Sequence, residues 1–196
     1  MLFRSSTWFF FTRKNLLFGL ALLPAVFLLV DIANDALGAN PVETLTRATG
    51  DWALRFLLIT LAMTPLRHLT GSHQWLQLRR MFGLYTFFYA CLHFSIYVAD
   101  QLFSVETVWQ DVVERPYITV GFTAFLMLWP LALTSTRAMM RRLGKRWSQL
   151  HQLVYVIAVL GLLHYFWLIK SGYLQAVIYL LLLAILLGFR IRRRFS

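Results

Sequence analysis

The sequence predicts an all-α, polytopic membrane protein, a bundle of six transmembrane helices with both termini in the cytoplasm. Of its 196 residues, 59% are hydrophobic and the mean hydropathy is +0.64, whereas soluble domains are about half apolar. Its apolar residues fall into six long segments, each close to the length that crosses about 30 Å of hydrocarbon. Its basic residues collect in alternate connections between those segments, as expected for a chain that crosses a membrane repeatedly.

The first apolar segment is Leu16–Val30, and it follows the basic residues Arg4, Arg13 and Lys14 in the manner of a signal peptide. However, it contains Pro24 and runs into DIANDALGANP without a clear small-residue cleavage site, and further apolar segments follow it. These features predict a retained first span.

Five further segments complete the predicted bundle: Trp52–Leu66, Met81–Ala99, Tyr117–Ser135, Leu150–Ile169 and Tyr173–Phe189. The second of the six carries Arg55 near one end, where a long side chain reaches the interface. The connections are short, no soluble domain is left over and no internal repeat is evident. The sequence therefore predicts a single membrane domain over residues 1–196.

The charged residues orient this domain. With a cytoplasmic N-terminus, fifteen of the nineteen basic residues lie on the inner side: Arg4, Arg13, Lys14, Arg67, Arg79, Arg80, Arg137, Arg141, Arg142, Lys145, Arg146, Arg190, Arg192, Arg193 and Arg194. The outer side keeps Arg47, Arg55, Arg115, Lys170 and all eight carboxylates. The basic bias places both termini in the cytoplasm. The formal charge of +11 then reflects topology and attraction to anionic membrane lipid, and no nucleic-acid partner is expected.

Three histidines lie within the predicted spans: His93 on the third, His151 and His164 on the fifth. Ionisable residues at membrane depth are rare and usually functional. One alternative is a non-redox scaffold or transporter in which the histidines only form hydrogen bonds between helices. The other two, His68 and His73, lie in a basic inner loop where exposed histidines are ordinary.

Depth favours a haem site for two of these histidines. Spans three and five rise in the same direction, so His93 and His164 lie about 18 and 22 Å above the inner starts of their helices. Two imidazoles facing each other at one level suit axial ligation of a haem iron. Zinc would need a cluster at one level, yet His151 lies about 20 Å from His164 along the helix.

Four stretches of the chain resemble a known family: GANPVETLTRATGDWALRFLLITLAMTPL, RRMFGLYTFFYACLHFSIYV, RPYITVG and TSTRAMMRRLGKRWSQLHQLVYVIAVLGLLHYFW. They are similar to the haem-binding membrane subunits of bacterial periplasmic methionine-sulfoxide reductase systems, in the ferric-reductase-like transmembrane superfamily. The resemblance covers nearly the whole chain, and LGKRWSQLHQLVY is its most specific part.

The resemblance implies a b-type cytochrome of the bacterial inner membrane that takes electrons from the respiratory quinone pool or a cytosolic flavin reductase. It would pass them to a periplasmic molybdopterin-containing subunit that reduces methionine sulfoxide in oxidised proteins. The chain would thus be an electron-transfer subunit of an oxidoreductase, because nothing in it resembles a molybdopterin site. The family's haem-iron ligands map onto His93, His151 and His164, for one haem b or two, and FMN is also attributed to the family.

The inner end of the bundle leaves alternatives open. Arg79 stands at the depth of His151, where NADPH-oxidase relatives carry a histidine. Arg79 and Arg80 could bind haem propionates, a flavin phosphate or a quinone headgroup, or simply anionic lipid. For His151, a second, cytoplasmic-side redox site competes with a histidine hydrogen-bonded to water at the membrane boundary.

Overall fold

The computed structural model describes residues 3–169 and 173–195, and all the regular structure in this part of the chain is helical. Its elements are α1 Phe3–Ala33, α2 Pro41–Thr70, α3 Gln74–Asp100, α4 Val105–Glu114, α5 Pro116–Leu133, α6 Arg137–Leu143, α7 Lys145–Leu150, α8 Leu153–Leu168 and α9 Tyr173–Phe195. The prediction of an all-helical fold is confirmed.

Helix α2 has well-defined ends. The side chain of Asn40 accepts a hydrogen bond from the backbone N–H of Glu43, and Pro41 takes a helix position that needs no N–H donor. At the other end Gly71 adopts φ 69°, the left-handed conformation that glycine favours. Only three residues separate α2 from α3, so the two form a helical hairpin.

Four long helices form a closed ring. The hairpin of α2 and α3 lies beside a second antiparallel pair, α5 and α8, and the ring closes through contacts of α3 with α5 and of α2 with α8. Helix α9 packs outside α2 and α8, and α1 packs against α3 and α2. The fold thereby places α3 and α8 diagonally across the ring from each other.

Aromatic stacking holds the first hairpin together. Phe56 of α2 lies against Phe82, Tyr85 and Tyr89 of α3, with ring centroids 5.9, 5.4 and 5.4 Å apart. Tyr89 is completely buried. Stacked aromatic pairs contribute about 0.5–1.5 kcal/mol each beyond the area that they bury.

Tyr89 also attaches α1 to the ring. Its hydroxyl accepts from the backbone N–H of Ala25 (3.2 Å) and donates to the carbonyl of Ala21 (2.9 Å), the two groups that bond each other in an uninterrupted helix. Pro24 lies beside this pair and perturbs the ladder, since its ring crowds the preceding turn. The tyrosine therefore satisfies backbone groups of α1 at its proline.

Five helical stretches of the described residues are long and apolar enough to cross a membrane: Lys14–Ala33, Gln74–Asp100, Pro116–Leu133, Lys145–Leu168 and Tyr173–Arg192. They correspond to predicted segments one, three, four, five and six. The second predicted segment, Trp52–Leu66, lies within α2, which is not among the five. Helix α2 carries charged residues such as Asp51 and Arg55. Its buried residues between Leu54 and Met63 pack against the neighbouring helices.

Three short helices were not expected from the sequence. Helix α4 connects α3 to α5, while α6 and α7 lie between α5 and α8. The side chain of Thr136 caps α6, and Gly144 at φ 51° separates α6 from α7. The predicted span from Leu150 is consequently interrupted at its start, since α8 begins only at Leu153.

Candidate functional site

Two of the predicted site residues meet inside the ring. The imidazoles of His93 of α3 and His164 of α8 lie close together, with ring centroids 6.1 Å apart and an angle of 84° between the ring planes. Because their helices are diagonal, the space between the two rings lies near the centre of the four helices. The structure thus brings together the pair that the depth argument selected.

Each imidazole is held by a backbone carbonyl. Nδ1 of His93 donates to the carbonyl oxygen of Thr46 at 2.8 Å, and Nδ1 of His164 donates to that of Tyr117 at 2.7 Å. A carbonyl can only accept, so Nδ1 carries the proton and Nε2 keeps its lone pair. Among the described residues neither Nε2 has a hydrogen-bond partner, which leaves both free to bind a metal.

Two glycines make room for the rings. A Cβ atom on Gly50 would lie 3.0 Å from Nδ1 of His93, and one on Gly121 would lie 2.6 Å from Nδ1 of His164. Real side chains essentially never show the second distance. Each histidine therefore packs directly on the backbone of the neighbouring helix, one turn beyond the carbonyl that it binds.

The two half-sites repeat each other. In each, the histidine lies 47 positions after the residue whose carbonyl it binds. Carbonyl, glycine and histidine of the second half-site each lie 71 positions after their counterparts (46 to 117, 50 to 121, 93 to 164). The expectation of no internal repeat is therefore corrected at the level of structure: each hairpin supplies one half of the site.

The spacing of the two rings fits one iron between them. A metal–imidazole bond is about 2 Å long, and a five-membered ring with bonds of ~1.35 Å has a radius of about 1.1 Å. Two imidazoles bound to opposite sides of one metal ion thus have centroids about 6 Å apart, and 6.1 Å is observed. The two histidines could therefore hold a haem iron between them.

His151 lies away from this pair, between α7 and α8. The hydroxyl of Thr134 donates to the Pro130 carbonyl at 2.6 Å, so it accepts from Nε2–H of His151 at 3.1 Å. The indole of Trp147 covers the imidazole, with ring centroids 4.0 Å apart, and donates to the carbonyl of Thr134. Binding a metal through Nε2 would require this residue to give up Thr134, and its role as a ligand stays a prediction.

The two inner arginines differ in their surroundings. Arg80 is exposed, whereas Arg79 is half-buried and lines a cleft together with Thr64, Tyr155 and Arg190. The guanidinium of Arg190 lies 5.5 Å from the ring centroid of Tyr155. Arg79 is also within electrostatic range of His151. Of the two arginines, Arg79 is the one that lines this cleft.

Comparison with known proteins gives a consistent result. Residues 49–162 match the family model described as ferric reductase like transmembrane component. "Protein-methionine-sulfoxide reductase heme-binding subunit MsrQ" of Herminiimonas arsenicoxydans is 53% identical over 183 residues, 91% of this chain and 84% of that protein. The proteins of the same name from Azospira oryzae and Xanthomonas campestris pv. campestris are each 52% identical, covering 92% and 83% of this chain and 79% and 75% of their own lengths. No solved structure matches.

The family model covers more than half of the chain, and the structure has two neighbouring histidines inside a ring of membrane-type helices. The chain therefore belongs to the ferric-reductase-like transmembrane proteins. It is a multi-pass membrane protein. Within that class the chain belongs to the MsrQ family.

Four further residues of the site could not be recognised by residue type alone. Thr46 and Tyr117 contribute only carbonyl oxygens, which every residue possesses. Gly50 and Gly121 contribute by lacking a side chain. A signal was nevertheless present, because each glycine precedes its histidine by the same distance (50 to 93, 121 to 164).

Proposed function

We propose that the protein carries electrons across the bacterial inner membrane, with a b-type haem held between His93 and His164. The observation that carries the proposal is the pair of imidazoles 6.1 Å apart, each oriented by a backbone carbonyl. Its relatives are named haem-binding subunits, which supports this choice of group.

The residues would contribute position and environment. Haem iron, when bound, supplies reversible one-electron chemistry. His93 and His164 would hold the iron from opposite sides, and their Nδ1–H bonds to Thr46 and Tyr117 fix the tautomer and raise the basicity of Nε2. Gly50 and Gly121 let the imidazoles lie against the backbone and keep their orientation.

We further propose six spans, with α2 as the one that composition alone does not select. At 30 residues α2 is about 45 Å long, enough to cross, and its apolar residues pack inside the ring instead of facing lipid. The basic residues then put both termini in the cytoplasm and the histidine pair near the periplasmic side. Residues 1–196 would form one domain; Lys170, used for this orientation, lies outside the described residues.

At the inner end we propose a second redox site at His151 and Arg79, with Arg80 on the exposed rim. Arg79 lines a cleft, and its charge suits a haem propionate, a flavin phosphate or a quinone headgroup. The electrons would come from the quinone pool or a cytosolic flavin reductase. FMN rests on the family resemblance, since no described residue is identified with it.

The acceptor would be a periplasmic molybdopterin-containing subunit that reduces methionine sulfoxide in oxidised proteins. The relatives' name, protein-methionine-sulfoxide reductase haem-binding subunit, supports this partner. In this arrangement the present chain delivers electrons and the partner performs the sulfoxide chemistry.

An absorbance spectrum of the purified protein tests the proposal. The expected result is a red preparation with a b-type spectrum that changes reversibly on reduction. A colourless protein that inserts normally and cannot be reconstituted with haem would contradict it, and would favour a non-redox scaffold or transporter with structural histidines.

A further inference from the structure

Helix α4 is fixed firmly to the end of the ring that holds the histidine pair. Ser104 caps its first turn by accepting from the N–H of Thr107. Its buried Asp111 accepts a hydrogen bond from the Tyr97 hydroxyl at 2.8 Å and pairs with Arg115 at 3.0 Å. These contacts join α4 to both α3 and the start of α5, so its orientation is set.

The opposite face of α4 is apolar and uncovered. Val105, Trp109 and Val113 are spaced one turn apart and form a stripe. The turn before the helix adds two more exposed apolar side chains, Leu102 and Phe103. Both residues adopt the left-handed conformation (φ 52° and 58°) that bulky residues avoid. We call this set the α4 patch; its exposed fractions are Leu102 87%, Phe103 72%, Val105 82%, Trp109 65% and Val113 64%.

The charges around the α4 patch favour a protein over a lipid surface. Glu106 and Glu114 are exposed beside the stripe, Asp100 ends the preceding helix, and α4 itself contains no lysine or arginine. Helices that lie on a membrane are usually rich in basic residues, which attract anionic lipid. An apolar centre with a polar, charged rim is instead typical of a protein interface, and a central tryptophan is a frequent energetic anchor.

The α4 patch is also close to the candidate haem site. Tyr97, which binds Asp111, follows His93 by one helical turn, about 6 Å along α3. On the other side, Thr119 of α5 donates to the carbonyl of Val112, and Tyr117 two residues earlier holds His164. A protein bound to α4 would thus lie close to α3, which carries His93, and to α5, whose Tyr117 carbonyl holds His164.

We propose that the α4 patch is the docking surface for the sulfoxide-reducing subunit, a water-soluble protein that presents an apolar pocket with a basic rim. This inference rests on the proposed function, because that function supplies the partner and its side of the membrane. It assigns a role to residues that take no part in holding haem.

Cross-linking and electron delivery together test this docking surface. The protein is placed in lipid nanodiscs with a photoreactive benzophenone side chain at position 105, and the purified molybdenum-cofactor subunit is added. Binding and electron delivery are then measured for Trp109→Glu, for Glu106→Lys with Glu114→Lys, and for Leu69→Glu. Leu69 is a matched control, since it is 79% exposed but lies at the C-terminal end of α2, the end of the ring away from α4.

We expect a cross-link to the subunit, and binding weaker by about thirtyfold or more for Trp109→Glu, the size typical of a lost interface anchor. The two charge reversals should weaken binding as well, while Leu69→Glu changes nothing. All variants should keep the haem spectrum and its reduction from the inner side, because none of these residues contacts the histidine pair.

Wild-type affinity in Trp109→Glu, or cross-links to lipid alone in the presence of the subunit, would overturn the proposal; the second result would assign α4 to the membrane surface. A wild-type protein without haem would contradict the proposed function instead. The cross-linking arm needs no electron flow, so the two failures are distinguishable.

Discussion

Gly121 lies directly against the imidazole of His164, so closely that a methyl group on it would overlap the ring. A Cβ there would be 2.6 Å from Nδ1 and 2.7 Å from Cε1. For Gly121→Ala we therefore expect His164 to be displaced and its bond to the Tyr117 carbonyl to be lost. Haem content, measured by absorbance in the purified variant, should fall at least severalfold.

The glycine variants form a graded series. At Gly50 the added carbon would lie 3.0 Å from Nδ1 of His93, so Gly50→Ala should retain more haem than Gly121→Ala. Gly161, one turn from His164 on the same helix, has nothing within 4 Å of a Cβ position. Gly161→Ala is the control and should match the wild type; equal haem content in all three variants would contradict the steric argument.

Replacement of either facing histidine should remove the low-spin haem. His93→Ala or His164→Ala would remove one of the two residues proposed to hold the iron, and the remaining imidazole alone would not be expected to give the same low-spin haem. Absorbance and electron paramagnetic resonance would measure the loss, with His73→Ala, an exposed residue, as the control. If both variants kept the wild-type spectrum, the pairing would be wrong.

The variant His151→Ala should separate the two ends of the ring. We expect the haem between His93 and His164 to persist, because His151 contacts Thr134 and Trp147 and not that pair. Electron transfer from the inner-side donor should fall, and total haem should drop only if His151 holds an iron. Complete loss of the outer haem in a correctly inserted protein would contradict this, and unchanged transfer would favour a purely structural histidine.

Reporter fusions test the proposed orientation. Fusions at Gly38 and Glu106 should report the periplasm, and a fusion after Ser196 should report the cytoplasm, because fifteen of nineteen basic residues then face inward. A cytoplasmic signal at Glu106 would place the histidine pair on the wrong side for a periplasmic acceptor.

Removal of one hydroxyl should loosen α1. In Tyr89→Phe the backbone groups of Ala21 and Ala25 lose a shared partner in a buried setting, which costs about 1–3 kcal/mol. Tyr85→Phe is the matched control, since among the described residues its hydroxyl bonds one backbone group, the carbonyl of Phe18, and not two. Unfolding in mixed micelles would measure both, and a Tyr89→Phe loss no larger than that of Tyr85→Phe would contradict the bridging role.

Much of the helix arrangement could be predicted from the pattern of apolar residues in the sequence. Hydropathy found the apolar part of every long helix, and counting residues along α3 and α8 placed His93 and His164 at one level. It could not show that both rings turn towards each other, because rotation about a helix accumulates error over many residues. The repeat that relates the two hairpins could not be predicted from the sequence either. It depends on backbone carbonyl groups and on two glycines in otherwise dissimilar surroundings.

Helix α4 was missed for another reason. Its ten residues are shorter than a span and its apolar stripe faces outward, so it resembles neither a buried nor a membrane segment. The charged residues of α2 likewise make this helix hard to recognise as a span by composition. It is apolar mainly where it contacts its neighbours.

The recurrence of carbonyl, glycine and histidine at a constant offset has a consequence for how such a site can be assembled. Each hairpin is a complete module that presents one oriented imidazole, and neither depends on the other for that orientation. Joining the modules in one chain fixes their stoichiometry and frees their outer surfaces to diverge. The inner end of the ring then combines Arg79 from one module with His151 from the other, a difference that two identical copies related by symmetry could not have.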